Sequence, residues 1–186
     1  MISKFKPMKT IAILAGTMIL SACAGGLDTD LFSSNKRLLP CPNVSVLPNA
    51  DAITIFRAGP GRDLVDVEFE GVIVPTSGEC LYEDDDTMIL AELILRIGAI
   101  KGPAATGQEK TFPFFVAIAD KDKRILSKKI FQSPIQIPEG KRRGGVQEEI
   151  VQRIPISSGR TGRDYTIVLG FQLTAEQLEY NRKAAR

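Results

Sequence analysis

The cysteines, together with the absence of histidine, set the chemistry that this sequence can offer. The 186-residue chain contains Cys23, Cys41 and Cys80 and has no histidine. Nucleophilic catalysis by serine or cysteine usually needs a histidine base, and zinc sites usually need histidines or closely spaced cysteine pairs. We therefore expect a protein that is not an enzyme and that holds no metal and no cofactor. A pair of carboxylates acting as acid and base is the catalytic alternative that the sequence leaves open.

The first cysteine follows a segment that is typical of exported bacterial proteins. Three lysines occur within the first nine residues, and an uncharged, mostly apolar run extends from Ile11 to Leu20. As a helix this run would be about 15 Å long, which is about half of the hydrocarbon core of a membrane. We therefore interpret residues 1–22 as a secretory signal peptide and not as a membrane-spanning helix.

The tetrapeptide Leu20-Ser21-Ala22-Cys23 resembles the lipobox of bacterial lipoproteins. The resemblance implies that the Cys23 thiol carries diacylglycerol and that the chain is cleaved before Cys23 and acylated there. Two or more acyl chains anchor a protein stably, so the membrane is the first partner that we expect. In enteric lipoproteins, an aspartate directly after the cysteine resembles a signal for retention in the inner membrane. This sequence has Ala24 at that position, which favours the outer membrane. The alternative is an ordinary cleaved signal or an amino-terminal helix, with Cys23 incidental.

The mature chain would be nearly neutral. Residues 1–22 carry three lysines and no acidic residue, which leaves 21 basic and 22 acidic side chains and a net charge of −1. This balance does not favour a nucleic-acid partner. Residues 24–40 begin with small and polar side chains and lack periodicity, so we expect a flexible tether with an end-to-end distance of about 20–25 Å.

Cys41 and Cys80 remain as a pair once Cys23 carries lipid. Export places an even number of cysteines in an oxidising compartment, and we predict a disulfide between them. The two residues are 39 positions apart, so the loss of chain entropy in the unfolded state gives a stabilisation of about 4 kcal/mol. Two buried free thiols are the alternative.

Alternation of apolar and polar side chains predicts a mainly β protein. Residues 65–73 show it best, with Val65 on the apolar face and Asp66 on the acidic face of a strand. The run from Met88 to Ala99 is apolar enough for a buried helix, but its alternation favours a strand. Eight to nine such strands, separated by turn residues, predict an immunoglobulin-like β-sandwich in the broad sense.

A short helix is predicted at the carboxyl end. Thr174 and Gln177 have the spacing of a capping box, and the helix is expected to run to about Arg182. The expected organisation is a signal peptide over 1–22, the lipidated cysteine and tether over 23–40, the β-sandwich domain over 41–182 and a tail over 183–186.

Two clusters of charged residues are candidate interaction sites. They are Arg57, Arg62 and Asp63 around the Gly59–Gly61 turn, and the run Lys141-Arg142-Arg143 between glycines. The first cluster either forms a recognition rim or is satisfied by ion pairs that include Asp66. The second either contacts anionic lipid headgroups or an acidic partner, or serves only to keep a loop soluble. A third charged run, 84–86, is interpreted as a solvated turn, with a cation site as the alternative.

The domain also resembles a family of uncharacterised proteobacterial lipoproteins. The residues that carry this resemblance are Phe56-Arg57-Ala-Gly-Pro-Gly61-Arg62-Asp63, Gly78-Glu-Cys80-Leu-Tyr82, Gly102-Pro-Ala-Ala105, Gly170-Phe-Gln-Leu-Thr174 and Tyr180-Asn181-Arg182. The resemblance implies export and lipidation, and it implies no activity, ligand or partner.

Two functions of different classes follow as hypotheses. The first is a non-catalytic periplasmic interaction or structural module of the cell envelope, whose partner is another envelope protein. The second is binding of a small molecule, lipid or glycan between the sheets or at the loop end. The second rests on the apolar length of Met88 to Ile100 and of Phe112 to Phe115.

Overall fold

The computed structural model describes residues 39–184. Cys23, the predicted signal peptide and most of the predicted tether lie outside these residues. The described strands are β1 (Asn43–Val46), β2 (Ala52–Phe56), β3 (Val67–Glu83), β4 (Met88–Lys101), β5 (Glu109–Asp120), β6 (Ile125–Gln136), β7 (Arg143–Pro155) and β8 (Tyr165–Phe171), and the described α-helix is α1 (Ala175–Ala184).

The strands form two four-stranded sheets that pack against each other. Sheet A has the order β1-β8-β5-β6, and sheet B has the order β2-β3-β4-β7. The short strand β1 runs parallel to β8, and the other described pairings are antiparallel. The predicted mainly β sandwich with a short carboxyl-terminal helix is confirmed, because two mainly antiparallel sheets pack face to face, as in the immunoglobulin-like class in its broad sense.

Strand β4 shows why this sequence folds as a sandwich. Ile89 and Ile97 are fully buried, whereas Glu92 and Arg96 are exposed. Successive side chains of a strand point to opposite faces, so β4 buries its apolar face in the core and turns the face that carries Glu92 and Arg96 outward. The prediction of a strand over Met88–Ala99 is therefore confirmed, and the buried helix is wrong.

The inward faces of both sheets form one hydrophobic core. Its largest fully buried side chains include Phe112, Phe114 and Phe171 from sheet A and Ile53, Leu95 and Ile154 from sheet B. The rings of Phe112 and Phe171 lie 6.0 Å apart and are tilted against each other. The apolar runs that suggested a ligand site between the sheets thus place their inward side chains in packed core.

Strand β3 is longer than the sequence indicated. Alternation predicted a strand over residues 65–73, but one strand of 17 residues runs from Val67 to Glu83 and includes Cys80. A register shift at Pro75–Ser77 against β4 marks a bulge. An extra residue reverses the alternation without ending the pairing, which is why the alternation of residues 65–73 does not continue to Cys80.

The beginning of β3 also differs from the expectation. Val65 is exposed and Asp66 is buried, which is the reverse of the predicted faces. Residues 64–66 form a 3-10 turn before the strand begins. The period of two that places Val65 inward applies only to extended backbone, so the prediction failed at this turn.

The two ends of the sandwich carry different parts of the chain. The described chain begins at what we call the Leu39 end, which also carries the β3–β4 turn (84–87) and the β5–β6 turn (121–124). The strand registers place Asn43 and Asp120 at this same end, opposite the first residues of β8. The opposite end, which we call the far end, carries residues 57–66, 102–108 and 137–142.

The predicted disulfide between Cys41 and Cys80 is confirmed, with 5.7 Å between the two Cα atoms. It lies where β3 has β4 on one side and no described strand on the other, because β2 pairs only with the first part of β3. The Tyr82 hydroxyl adds a second link there. It donates to the carbonyl of Pro40 at 2.7 Å and accepts from the N–H of Gly162 at 2.7 Å.

Helix α1 begins with the predicted capping box. The N–H of Gln177 donates to the Thr174 hydroxyl at 3.2 Å, and the N–H of Thr174 donates to the Gln177 side chain at 2.9 Å. The helix continues to Ala184, through two residues that we expected in a tail. Lys183 lies 3.6 Å from Glu179 one turn earlier, an ion pair that favours this extension.

Candidate functional site

Arg57 and Asp63 of the first charged cluster form contacts within the far end. Arg57 Nη2 lies 2.5 Å from Asp66 Oδ1, and the Asp66 side chain is almost wholly buried. The other Asp66 oxygen accepts a hydrogen bond from the N–H of Asp63 at 3.2 Å. A buried carboxylate is stable only when it is paired and hydrogen-bonded. Arg57 and Asp63 therefore hold the 57–66 segment together, as the ion-pair alternative predicted.

Arg62, the third member of this cluster, contacts helix α1. Its Nε donates to Glu176 Oε1 at 2.5 Å, and one Nη donates to the carbonyls of Gly59 and Gly61. The hydrogen bond to Glu176 raises the pKa of Arg62, and the hydrogen bond from Arg62 lowers the pKa of Glu176. The guanidinium also lies 5.3 Å from the centre of the Phe56 ring, a cation–π distance.

A groove of about 530 Å³ lies between β2 and α1 beside this arginine. Phe56 and Tyr180 meet edge to face, with 5.0 Å between ring centres. Asn181 fixes the helix against the sheet, because its amide donates to the carbonyls of Asn49 and Ala52. The lining residues are Thr54, Ile55, Phe56, Arg62, Thr174, Glu176, Gln177, Glu179, Tyr180 and Lys183.

The groove combines an apolar floor with charged walls. Such a lining suits an amphipathic group that places a ring or chain on Phe56 and Tyr180 and a polar group near Arg62 or Lys183. Sequence reasoning missed Glu176 and Tyr180 as site residues. The capping box located their helix, but only the docking of that helix on β2 brings them to Arg62.

The basic run Lys141-Arg142-Arg143 also lies at the far end. The N–H of Lys101 donates to the Arg142 carbonyl at 2.8 Å, and Arg142 Nη2 donates to the Lys101 carbonyl at 3.2 Å. All three basic side chains are exposed. The run leads into β7, whereas Arg57 and Arg62 follow β2 at the other edge of sheet B. Three strand spacings, or about 14 Å, separate those edges, so the two clusters form two surfaces.

The acidic turn at Asp84–Asp86 lies at the Leu39 end. All three residues have positive φ, at 51°, 54° and 64°, and Thr87 closes the turn by donating to the Asp84 carbonyl at 2.7 Å. No group of three or more histidine, cysteine, aspartate or glutamate residues within residues 39–184 is arranged to hold a metal ion. The cation site that the sequence left as an alternative for this turn therefore has no support among the described residues.

Comparison with models of known protein families finds no match, and a search of curated proteins finds no significant similarity. Across residues 39–184, no helix is both long enough and apolar enough to cross a membrane.

Proposed function

We propose that this protein is a lipoprotein of the bacterial cell envelope, anchored through Cys23 and acting without catalysis as an interaction module. In this proposal the β-sandwich lies in the periplasm and is anchored to the outer membrane. Its far end contacts another envelope protein. The lipobox resemblance supports the anchor, and the placement of the charged clusters supports the direction of the contact.

One observation carries the proposal. Arg57, Arg62 and the basic run 141–143 all lie at the far end, whereas the chain arriving from Cys23 reaches the domain at Leu39, at the opposite end. Fifteen residues separate Cys23 from Leu39, so the tether predicted from the sequence would hold the Leu39 end within about 20 Å of the membrane. Charged surfaces at the far end are then free to meet a protein partner.

An intact-mass measurement tests the anchor. We expect membrane-extracted protein to have the mass of residues 23–186 plus acyl chains, and the Cys23→Ser variant to lack the acyl mass. Treatment with reductant should add two hydrogens to either form, because of the Cys41–Cys80 disulfide. Wild-type protein without acyl mass would contradict the anchor.

Crosslinking at native expression levels tests the interaction module. We expect one envelope protein to be captured, and Lys141→Glu combined with Arg143→Glu to lower its yield several-fold, because opposite charge at a contact becomes like charge. Arg96→Glu combined with Arg153→Glu is the matched control, since both arginines are exposed on the outward face of sheet B. No captured protein, or equal loss in both variants, would contradict the far-end contact.

The groove between β2 and α1 favours a second candidate function, the binding of a small amphipathic molecule. Native mass spectrometry of protein purified from its own host would then show added mass on the wild type. The Tyr180→Ala variant should lack that added mass, because it removes one aromatic ring from the floor of the groove. The Leu81→Ala variant, changed at an exposed position on β3, should keep it. Wild-type protein without added mass would contradict this candidate.

A further inference from the structure

The β5–β6 hairpin at the Leu39 end exposes apolar side chains. Ile125, Leu126 and Ile130 have exposed fractions of 59%, 53% and 51%. They lie on β6, which is the edge strand of sheet A beyond β5. A soluble protein tolerates single exposed apolar residues, but three within six positions of an edge strand form a patch.

The same hairpin is strongly basic. Residues 120–130 contain five lysines and arginines and two aspartates, a net charge of +3, although the chain after the predicted signal peptide has a net charge of −1. Asp120 is almost fully engaged, because it accepts hydrogen bonds from the N–H groups of Asp122 and Arg124 and from the Arg124 side chain. It shapes the turn and neutralises one arginine.

The remaining cations lie on both faces of β6 and at the tip of the hairpin, where Lys121 lies 3.7 Å from Asp122. Lys128 lies 4.4 Å from the centre of the Phe115 ring and Lys129 lies 5.0 Å from the centre of the Phe131 ring. Each ammonium group therefore lies over an aromatic face at a cation–π distance, and it remains on the protein surface. Lys121 and Lys123 stand at the tip of the turn, and Lys123 holds a positive φ of 62°.

The geometry points to a membrane contact: the β5–β6 hairpin, residues 121–130, binds a lipid surface that carries anionic headgroups. Lysines at the tip and edge contact headgroup phosphates, and Ile125 and Leu126 enter the interfacial layer. The hairpin shares the Leu39 end with the incoming chain, so this contact rests on the proposed anchor at Cys23 for its location. It adds a second attachment beside the acyl chains.

The acidic turn Asp84–Asp86 determines how the domain would lie. It belongs to sheet B, whereas the basic hairpin belongs to sheet A. Like charge repels the acidic turn from an anionic surface while the basic hairpin is attracted. The domain therefore leans onto the sheet A side of its Leu39 end, with the acidic turn raised from the lipid.

Vesicle binding by unlipidated protein tests the inference separately from the anchor. The mature chain, residues 23–186 with Cys23→Ser, is mixed with vesicles of phosphatidylcholine and phosphatidylglycerol, or of phosphatidylcholine alone, and bound protein is measured by co-sedimentation. We expect binding to the anionic vesicles that is lost when salt is raised from about 0.1 M to about 1 M. Lys121→Gln with Lys123→Asn should weaken it about 25-fold, since each cation near such a surface contributes about fivefold.

Two further variants make the test specific. Ile125→Ser should weaken binding to anionic vesicles without changing its salt dependence, because it removes apolar contact and no charge. Arg96→Gln with Arg153→Gln removes the same total charge from the outward face of sheet B and should leave binding unchanged. Absence of binding to anionic vesicles, or equal weakening by the hairpin and control variants, would overturn the inference. Lipidation of Cys23 is measured by mass and is independent of either result.

Discussion

Two nearly buried aspartates organise the turns of this domain through arginines. Asp66 pairs with Arg57 at the far end, and Asp120 pairs with Arg124 at the Leu39 end. In each case a carboxylate, a group that is usually exposed, is held in the protein by backbone N–H donors and a guanidinium. Both aspartates thereby fix the local geometry of their turns.

Asp120 should give a measurable loss of stability in acid. The Arg124 side chain and the N–H groups of Arg124 and Asp122 lower the pKa of Asp120 below its ordinary value. The unfolded chain then binds this proton more readily, so the contribution to stability is complete above about pH 5 and is lost as the pH falls through the lowered pKa. In urea unfolding, Asp120→Asn should have a lower free energy of unfolding at neutral pH and a flatter acid dependence than the wild type.

Asp122→Asn is the matched control for this measurement. Its side chain is more than half exposed and lies 3.7 Å from Lys121 and Arg124, so solvent screening leaves these ion pairs little contribution to the free energy of unfolding. It should follow the wild-type curve. Parallel acid curves for wild type and Asp120→Asn would show that the unfolding free energy does not depend on this carboxylate.

The turn Asp84–Asp86 stores backbone strain, because three successive non-glycine residues have positive φ. Asp85→Gly should raise the free energy of unfolding by about 0.5–1 kcal/mol, since glycine adopts this conformation without steric cost. Asp85→Asn removes the same charge but keeps a side chain, so the difference between the two variants measures the backbone contribution. Equal unfolding free energies for these variants would assign the effect to charge alone.

At the scale of elements, the disulfide is expected to stabilise the second half of β3. Reduction, or the double variant Cys41→Ala with Cys80→Ala, should lower the free energy of unfolding by about 2–5 kcal/mol. Hydrogen exchange should rise most in residues 78–83, because β2 does not cover them and Tyr82 alone still links them to Pro40. Uniform exchange along β3 after reduction would contradict this local role.

The strands were predictable where one face of each is buried. Alternation identified β4, and Pro134 lies in β6, which is an edge strand of sheet A. Proline removes a backbone donor, so edges tolerate it. Alternation could not reveal that β3 continues through a bulge, or that Asp66 is buried, because both depend on contacts with residues distant in sequence.

The candidate sites were predictable to different degrees for the same reason. The disulfide followed from counting cysteines in an exported chain. The groove did not, because it exists only when Asn181 docks the helix on the carbonyls of Asn49 and Ala52, more than 120 positions earlier. Arg62 could be chosen as a candidate from its charge and its place beside a turn. Its partner Glu176 could not, because tertiary packing brings the two residues together.

At the scale of the whole molecule, the strands separate two functional surfaces. Strand β4 has 14 residues, and a strand rises about 3.3 Å per residue, so the two ends of the sandwich are about 45 Å apart. The proposed lipid contact occupies one end and the proposed protein contact occupies the other. A domain anchored in this way would place its far end well beyond the range of headgroup charge.

A fluorescent label at each end would measure this orientation. A label on Lys123→Cys or on Lys141→Cys is introduced into the lipid-anchored protein on phosphatidylglycerol-containing vesicles, with a contact quencher attached to the headgroups. We expect strong quenching at position 123 and little at position 141, because the label at 141 lies about 45 Å from the hairpin end. High salt should reduce quenching at 123 while the acyl chains keep the protein bound. Equal quenching at both positions would mean that the sandwich lies flat, and the far end could not then serve as a free contact surface.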